Sequence, residues 1–198
     1  MPFRIILRII GTLLMVFSLT LLVPAIIGWF SKDGAAGAFI QSFFLTFSSG
    51  TVMWLFVRRQ RSDLNIRDGF LIVALFWGVL GLFGALPFAL AEATQLSPSD
   101  AIFESISGLT TTGATVITGL DELPISILFY RQLLQWLGGI GIIVMAIAVL
   151  PMLKVGGMQL FRAESSDQSE RVLPRTAQLA GAIFLVYLAL TVINALAY

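Results

Sequence analysis

Four threonines and a glycine in the strip Thr110-Thr111-Thr112-Gly113-Ala114-Thr115 carry the most specific chemistry in this chain. Such a strip can offer a cation a row of oxygens. Backbone carbonyls supply the row if consecutive peptides turn the same way, which needs angles that L-residues resist and Gly113 allows. The threonines add hydroxyl oxygens and, being β-branched, stiffen the strand. The strip holds no carboxylate, so its field is weak. A weak carbonyl field suits potassium rather than calcium or magnesium, which favour carboxylate oxygens. The candidate ion ligands are Thr110, Thr111, Thr112 and Gly113, with potassium at Thr111 and Thr112.

A threonine–glycine string by itself would read as an ordinary loop. Its neighbours change that reading. Ser97-Pro98-Ser99-Asp100 has the form of a helix start, with Ser97 or Ser99 as N-cap and Asp100 in the first turn, where a carboxylate suits the helix dipole. About ten helical residues, ~15 Å, would follow and reach only halfway through a bilayer core of about 30 Å. Gly108 is the expected C-terminal stop. The negative end of this half-helix would face mid-membrane, where a cation would rest. Glu104 lies in the half-helix and is a functional candidate as an intramembrane carboxylate. It is expected to support the filter, either by accepting hydrogen bonds from it or by pairing with Arg131.

The elements that must hold this segment are apolar. Of 198 residues, 58% are hydrophobic and 12% charged, against roughly 25% charged in a soluble domain. Five runs approach the roughly 20 apolar residues a crossing needs: about 5–29, 39–57, 69–91, 127–153 and 176–198. The expected fold is an all-α membrane protein of five transmembrane helices, one re-entrant pore helix and an extended filter loop. Pro24, Pro87 and Pro151 fall near the ends of spans, and Pro174 suits the first turn of the last. Gly78, Gly81 and Gly84 form a stripe on span three, and Gly138, Gly139 and Gly141 a second on span four; both read as sites of close helix packing. Trp29 fits an interfacial belt.

Arg4 and Arg8, the group Arg58, Arg59, Arg61 and Arg67, and the group Lys154, Arg162, Arg171 and Arg175 all fall on one side of the spans. Lys32 and Arg131 fall on the other. The positive-inside rule then puts the N-terminus in the cytoplasm and lets the filter segment enter from outside. The first apolar run is longer than a signal-peptide core, so no cleavage is expected. The 154–175 loop reads as a solvated connector, or as a docking surface for a cytoplasmic partner.

The string Phe103–Thr115 resembles the first filter region of the Trk/Ktr/HKT potassium-transporter superfamily. Leu128–Ile143, with Arg131 and the Gly138-Gly139-Ile140-Gly141 run, is similar to the following helix of its bacterial Trk branch, and Lys154–Glu164 to that branch's cytoplasmic connector. The resemblance implies two leading helices (1–68), a first helix–pore-loop–helix repeat (69–153), a connector (154–175) and the first helix of a second repeat (176–198). Family members carry four such repeats in one polypeptide, so an N-terminal fragment with one of four filter strands is expected. The resemblance also implies potassium as substrate with no covalently bound cofactor, and a homodimer in the complete protein. It implies a cytoplasmic nucleotide-binding regulatory subunit of the TrkA type, and a multi-pass location in the bacterial inner membrane. In relatives, serine at the position of Gly113 accompanies sodium permeation.

Other classes fare worse. The chain has no histidine and no cysteine, which removes Ser-His and Cys-His dyads, thiolate metal sites and disulfides. No paired aspartates sit within spans, so an intramembrane protease has no support. A net charge of +1 gives no electrostatic case for nucleic acid. The alternatives are a homotetrameric cation channel built from four copies of this chain, and a non-conducting assembly fragment.

Overall fold

The computed structural model describes residues 3–57, 66–149 and 172–197. The expected basic loop at Arg58–Arg61, Pro151, and the connector with Lys154, Arg162 and Arg171 lie outside the described residues. Among the described residues every regular element is helical, as expected of an all-α protein. The helices are α1 Phe3–Thr20, α2 Leu22–Ser31, α3 Ala36–Phe56, α4 Ile66–Gly84, α5 Leu86–Leu90, α6 Pro98–Leu109, α7 Ile125–Val149 and α8 Val172–Ala197, with a 3-10 turn at Leu120–Glu122 before α7.

Among the described residues, three stretches are long and apolar enough to cross a membrane: Arg4–Ser31, Ala36–Phe56 and Leu71–Leu90. Two of them are broken, and here the prolines act differently from expectation. Pro24 and Pro87 each lack an N–H and crowd the preceding turn, so α1 passes to α2 at Leu21, and α4 to α5 at Ala85. Side-chain hydroxyls bond to carbonyls around both breaks. Ser18 and Thr20 donate their hydroxyls to the Met15 and Phe17 carbonyls at 2.7 Å each. The buried Tyr130 hydroxyl, from α7, donates to the Gly84 carbonyl at 2.8 Å. The Tyr130 ring also meets Phe39 edge-on at 5.3 Å and Phe88 at 5.1 Å, which ties α3, α5 and α7 at one point.

The chain forms two compact units, 1–138 and 139–198. In the first, α1 packs along α3, and α4 packs against α6 and α1. Its core runs through Ile6, Ile10, Leu14, Phe17, Phe39, Leu80, Phe88, Ala101, Ile127 and Leu134. The closest α1–α3 crossing falls on Gly11 and Gly50, where a methyl on either would sit 2.7 Å from the other's carbonyl oxygen. Two glycines of the α4 stripe seat α6: a Cβ on Gly81 would meet Ile106 at 2.7 Å, and one on Gly84 the Ser105 hydroxyl at 2.5 Å. In the second unit, Gly139 admits the ring of Tyr187 from α8.

Gly138 is the tightest of these contacts, because a Cβ there would overlap the Leu109 carbonyl at the end of α6. Gly78, in the same stripe as Gly81, faces open space. Gly138→Ala should therefore destabilise the protein in detergent by about 1–3 kcal/mol through overpacking. Gly78→Ala should stay within ~0.5 kcal/mol of the parent. Thermal scans by size-exclusion chromatography measure both. Equal effects from the two substitutions would mean that the Leu109 contact is not what requires glycine.

Candidate functional site

The site is built on α6, a helix of 12 residues, or about 18 Å. Proline suits its first position, and the Ser97 hydroxyl caps it, accepting the Asp100 N–H at 3.3 Å. The same hydroxyl donates to the Asp100 carboxylate at 2.7 Å, so Asp100 closes the first turn as the dipole favours.

The far end differs from the expected stop at Gly108. The helix runs on to Leu109, and Gly108 lies inside it, buried where its Cβ would meet Leu134 at 3.0 Å. Close packing against α7 is what requires a glycine there. Thr111 makes the turn instead, in the left-handed region at φ 57°. Its N–H reaches the Gly108 carbonyl at 3.0 Å, and the Thr112 N–H reaches Ser107's at 3.0 Å. These are the two bonds of a Schellman motif, with threonine where glycine is usual. A β-branched residue there costs ~1–2 kcal/mol, the kind of strain that clusters at functional sites.

Beyond Thr111 the chain leaves the helix as a segment without regular secondary structure, exposed from Thr112 to Val116. Gly113 takes φ 74°, as its type permits. The Thr110 and Thr112 hydroxyls lie 2.8 Å apart, and Thr110 also donates to the Ile106 carbonyl at 2.8 Å. Two side chains of α6 hold the strand from behind. Ser107 donates its hydroxyl to the Ala114 carbonyl at 2.7 Å. Glu104, 3% exposed, accepts the Thr115 hydroxyl at 2.5 Å, the Val116 N–H at 2.7 Å and the Ile117 N–H at 3.4 Å, all on Oε1. Spaced three apart, the two lie on one helix face. The second Glu104 oxygen takes the Arg131 Nε–H of α7 at 3.1 Å. Glu104 thus makes both kinds of contact considered for it, and the buried charge has a partner.

Arg131 is aligned by the start of α7, which Asp33 secures from the turn between α2 and α3. One Asp33 oxygen accepts the Ser126 N–H at 3.0 Å and the other the Ala35 N–H at 3.1 Å. Burial alone pushes the Asp33 carboxyl up, but the hydrogen bonds from Ser126 and Ala35 outweigh it and hold it below the usual value. One turn after Arg131, the Gln135 amide lies 3.7 Å from where a Cβ on Gly113 would be.

The six candidate residues therefore fall into one cluster: Thr110, Thr111, Thr112 and Gly113 along the exposed turn and strand, Glu104 and Arg131 behind it. Ser107 and Asp33 were not foreseen. Ser107 carried a faint signal, lying three residues from Glu104 on the same helix. Asp33 carried none, since its partner is 93 residues away.

Comparison with known proteins places these features in context. A family model described as a cation transport protein, TrkH, matches residues 35–198. The chain is 52% identical, over its whole length, to the Trk system potassium uptake protein TrkH of Vibrio parahaemolyticus, and 54% identical to that of Halomonas elongata. It spans 41% and 42% of the length of these two relatives. A crystal structure of the potassium transporter TrkH from Vibrio parahaemolyticus superposes with a TM-score of 0.84 at 50% identity, covering 98% of this chain and 38% of that one.

Proposed function

The chain belongs to the TrkH family of cation transport proteins, and from that premise we propose that it supplies the first ion filter of a potassium-uptake transporter. The observation that carries the proposal is the non-helical segment 112–117, pinned along its back to Ser107 and Glu104 of a helix too short to cross a bilayer. A strand held from one side leaves its other side for ions. Potassium sheds water against the oxygens of Thr110, Thr111, Thr112 and Gly113, resting at Thr111 and Thr112, and moves down its electrochemical gradient into the cell.

In this reading α1–α2, α3, α4–α5, α7 and α8 are the five crossings, and α6 is re-entrant. Residues 1–68 are the leading helices, 69–153 the first repeat, 154–175 a cytoplasmic connector and 176–198 the start of a second repeat. The complete protein closes one pore with four repeats, dimerises in the bacterial inner membrane, and binds a TrkA-type nucleotide-binding subunit on its cytoplasmic side. Relatives long enough to hold further repeats in the same polypeptide favour this over four separate copies of the chain.

The test is rubidium uptake and growth on low potassium in a bacterium lacking its own potassium-uptake systems, using the transporter at the length of its relatives. Uptake and growth are expected. Insertion without either would overturn the proposal.

The orientation has its own measurement. The chain holds no cysteine, so single cysteines report cleanly. A membrane-impermeant thiol reagent should label Gln95→Cys in intact cells and leave Ser62→Cys unlabelled. The reverse pattern would invert the topology.

A further inference from the structure

We infer that Ser107 is a positioning residue that decides where the row of ion-facing carbonyls ends, an inference that rests on the filter reading above. Serines and threonines inside helices commonly bond back to a carbonyl of the preceding turn. Ser18, Ser31, Ser42 and Thr51 all do so here. Ser107 does not. Its hydroxyl reaches forward seven residues to the Ala114 carbonyl at 2.7 Å. Its own carbonyl accepts the Thr112 N–H at 3.0 Å and the Gly113 N–H at 3.3 Å. One buried residue therefore holds three consecutive residues of the strand.

The two backbone bonds would form with almost any side chain at 107. The hydroxyl bond requires a donor of serine's reach. It directs the Ala114 carbonyl back to α6, while Gly113, at φ 74°, turns the chain just before it. The row offered to the ion then stops at Gly113, and Glu104 takes over the hold from Thr115 to Ile117. Without the hydroxyl, the Ala114 carbonyl loses this partner on α6 and is free to swing toward the ion path. That adds an oxygen to the site and changes its number of ligands. The number and field of carbonyls are what discriminate potassium from sodium. The loss therefore falls on selectivity while the Schellman turn and the Glu104 anchor keep the strand in place.

The experiment measures sodium and rubidium flux in vesicles carrying the complete transporter with Ser107→Ala, Ser107→Cys or Ser107→Thr, and with Gly113→Ser alongside. The flux ratio does not depend on how much protein inserts. Cysteine, close to serine in size but a weak donor, serves if the alanine variant fails to fold. The alanine and cysteine variants should raise the sodium-to-rubidium ratio severalfold and raise KM for rubidium, while threonine, which keeps the hydroxyl, should stay near the parent. If Gly113→Ser shifts the ratio and the alanine and cysteine variants do not, the role of Ser107 is overturned and the filter reading stands. If alanine, cysteine and threonine all shift it alike, the hydroxyl is not the cause and the inference also falls. If no variant shifts it, Gly113→Ser included, both readings fall together.

Discussion

Glu104→Gln in the complete transporter is expected to lower rubidium uptake on the order of a hundredfold or more. The carboxylate accepts on both oxygens at once. Oε1 holds Thr115, Val116 and Ile117, and Oε2 holds Arg131 at 3.1 Å. A glutamine replaces one of these acceptors with an NH2 donor. Turned one way, the donor faces the Arg131 guanidinium; turned the other, it faces the strand's own N–H groups. Neither orientation satisfies the site, and Arg131, 11% exposed, keeps its charge without a counter-ion. Breaking a buried pair by removing one partner costs about 3–5 kcal/mol, and each 1.4 kcal/mol is roughly tenfold in population of the competent state.

A second substitution separates charge balance from filter support. Replacing both members of a buried pair by apolar residues is often close to neutral for stability. The double variant Glu104→Leu with Arg131→Met should therefore regain much of the thermal stability lost by either single change. It should not regain uptake, because Thr115, Val116 and Ile117 still lack their acceptor. Uptake restored by the double variant would mean that Glu104 serves only to neutralise Arg131.

What could be read before folding depended on how local the cause was. The Ser97 cap, the place of Asp100 and the left-handed angle of Gly113 follow from residue type and immediate neighbours. The need of Glu104 for a partner follows from the cost of a carboxylate at membrane depth, and Arg131 was among the few cations on that side. Causes set by tertiary contact were hidden. Gly108 looked like a helix stop, yet Leu134 requires it, and the stop passes to Thr111, which propensity disfavours. Pro24 and Pro87 looked harmless at span ends, but the helices continue beyond both, so each breaks a crossing. Gly11 and Gly50 meet although neither belongs to a glycine stripe, because the signal for a crossing is split between two helices.

Gly113→Ala and Gly113→Ser are both expected to raise the sodium-to-rubidium flux ratio about tenfold, with insertion and yield near those of the parent. Crowding is not the reason. A Cβ at this position would sit 3.7 Å from the Gln135 amide, an ordinary contact, so a small side chain has room. The backbone is the reason. At φ 74° an L-residue carries about 1–2 kcal/mol of strain, and the exposed strand relieves it by rotating away from the left-handed region. That rotation swings the peptides on either side of residue 113, and with them the Thr112 and Gly113 carbonyls proposed to face the ion. A change of 1.4 kcal/mol in the relative fit of two ions is a tenfold change in their ratio. Glu104 and Ser107 still hold the strand from behind, so the pore changes its preference rather than collapsing. Comparing the two substitutions isolates the cause. Equal shifts assign it to the backbone, since alanine and serine share the Cβ. A shift with serine alone would assign it to the added hydroxyl, either as an ion ligand or through Gln135, and would overturn the strain account. An unchanged ratio in both would remove Gly113 from the filter.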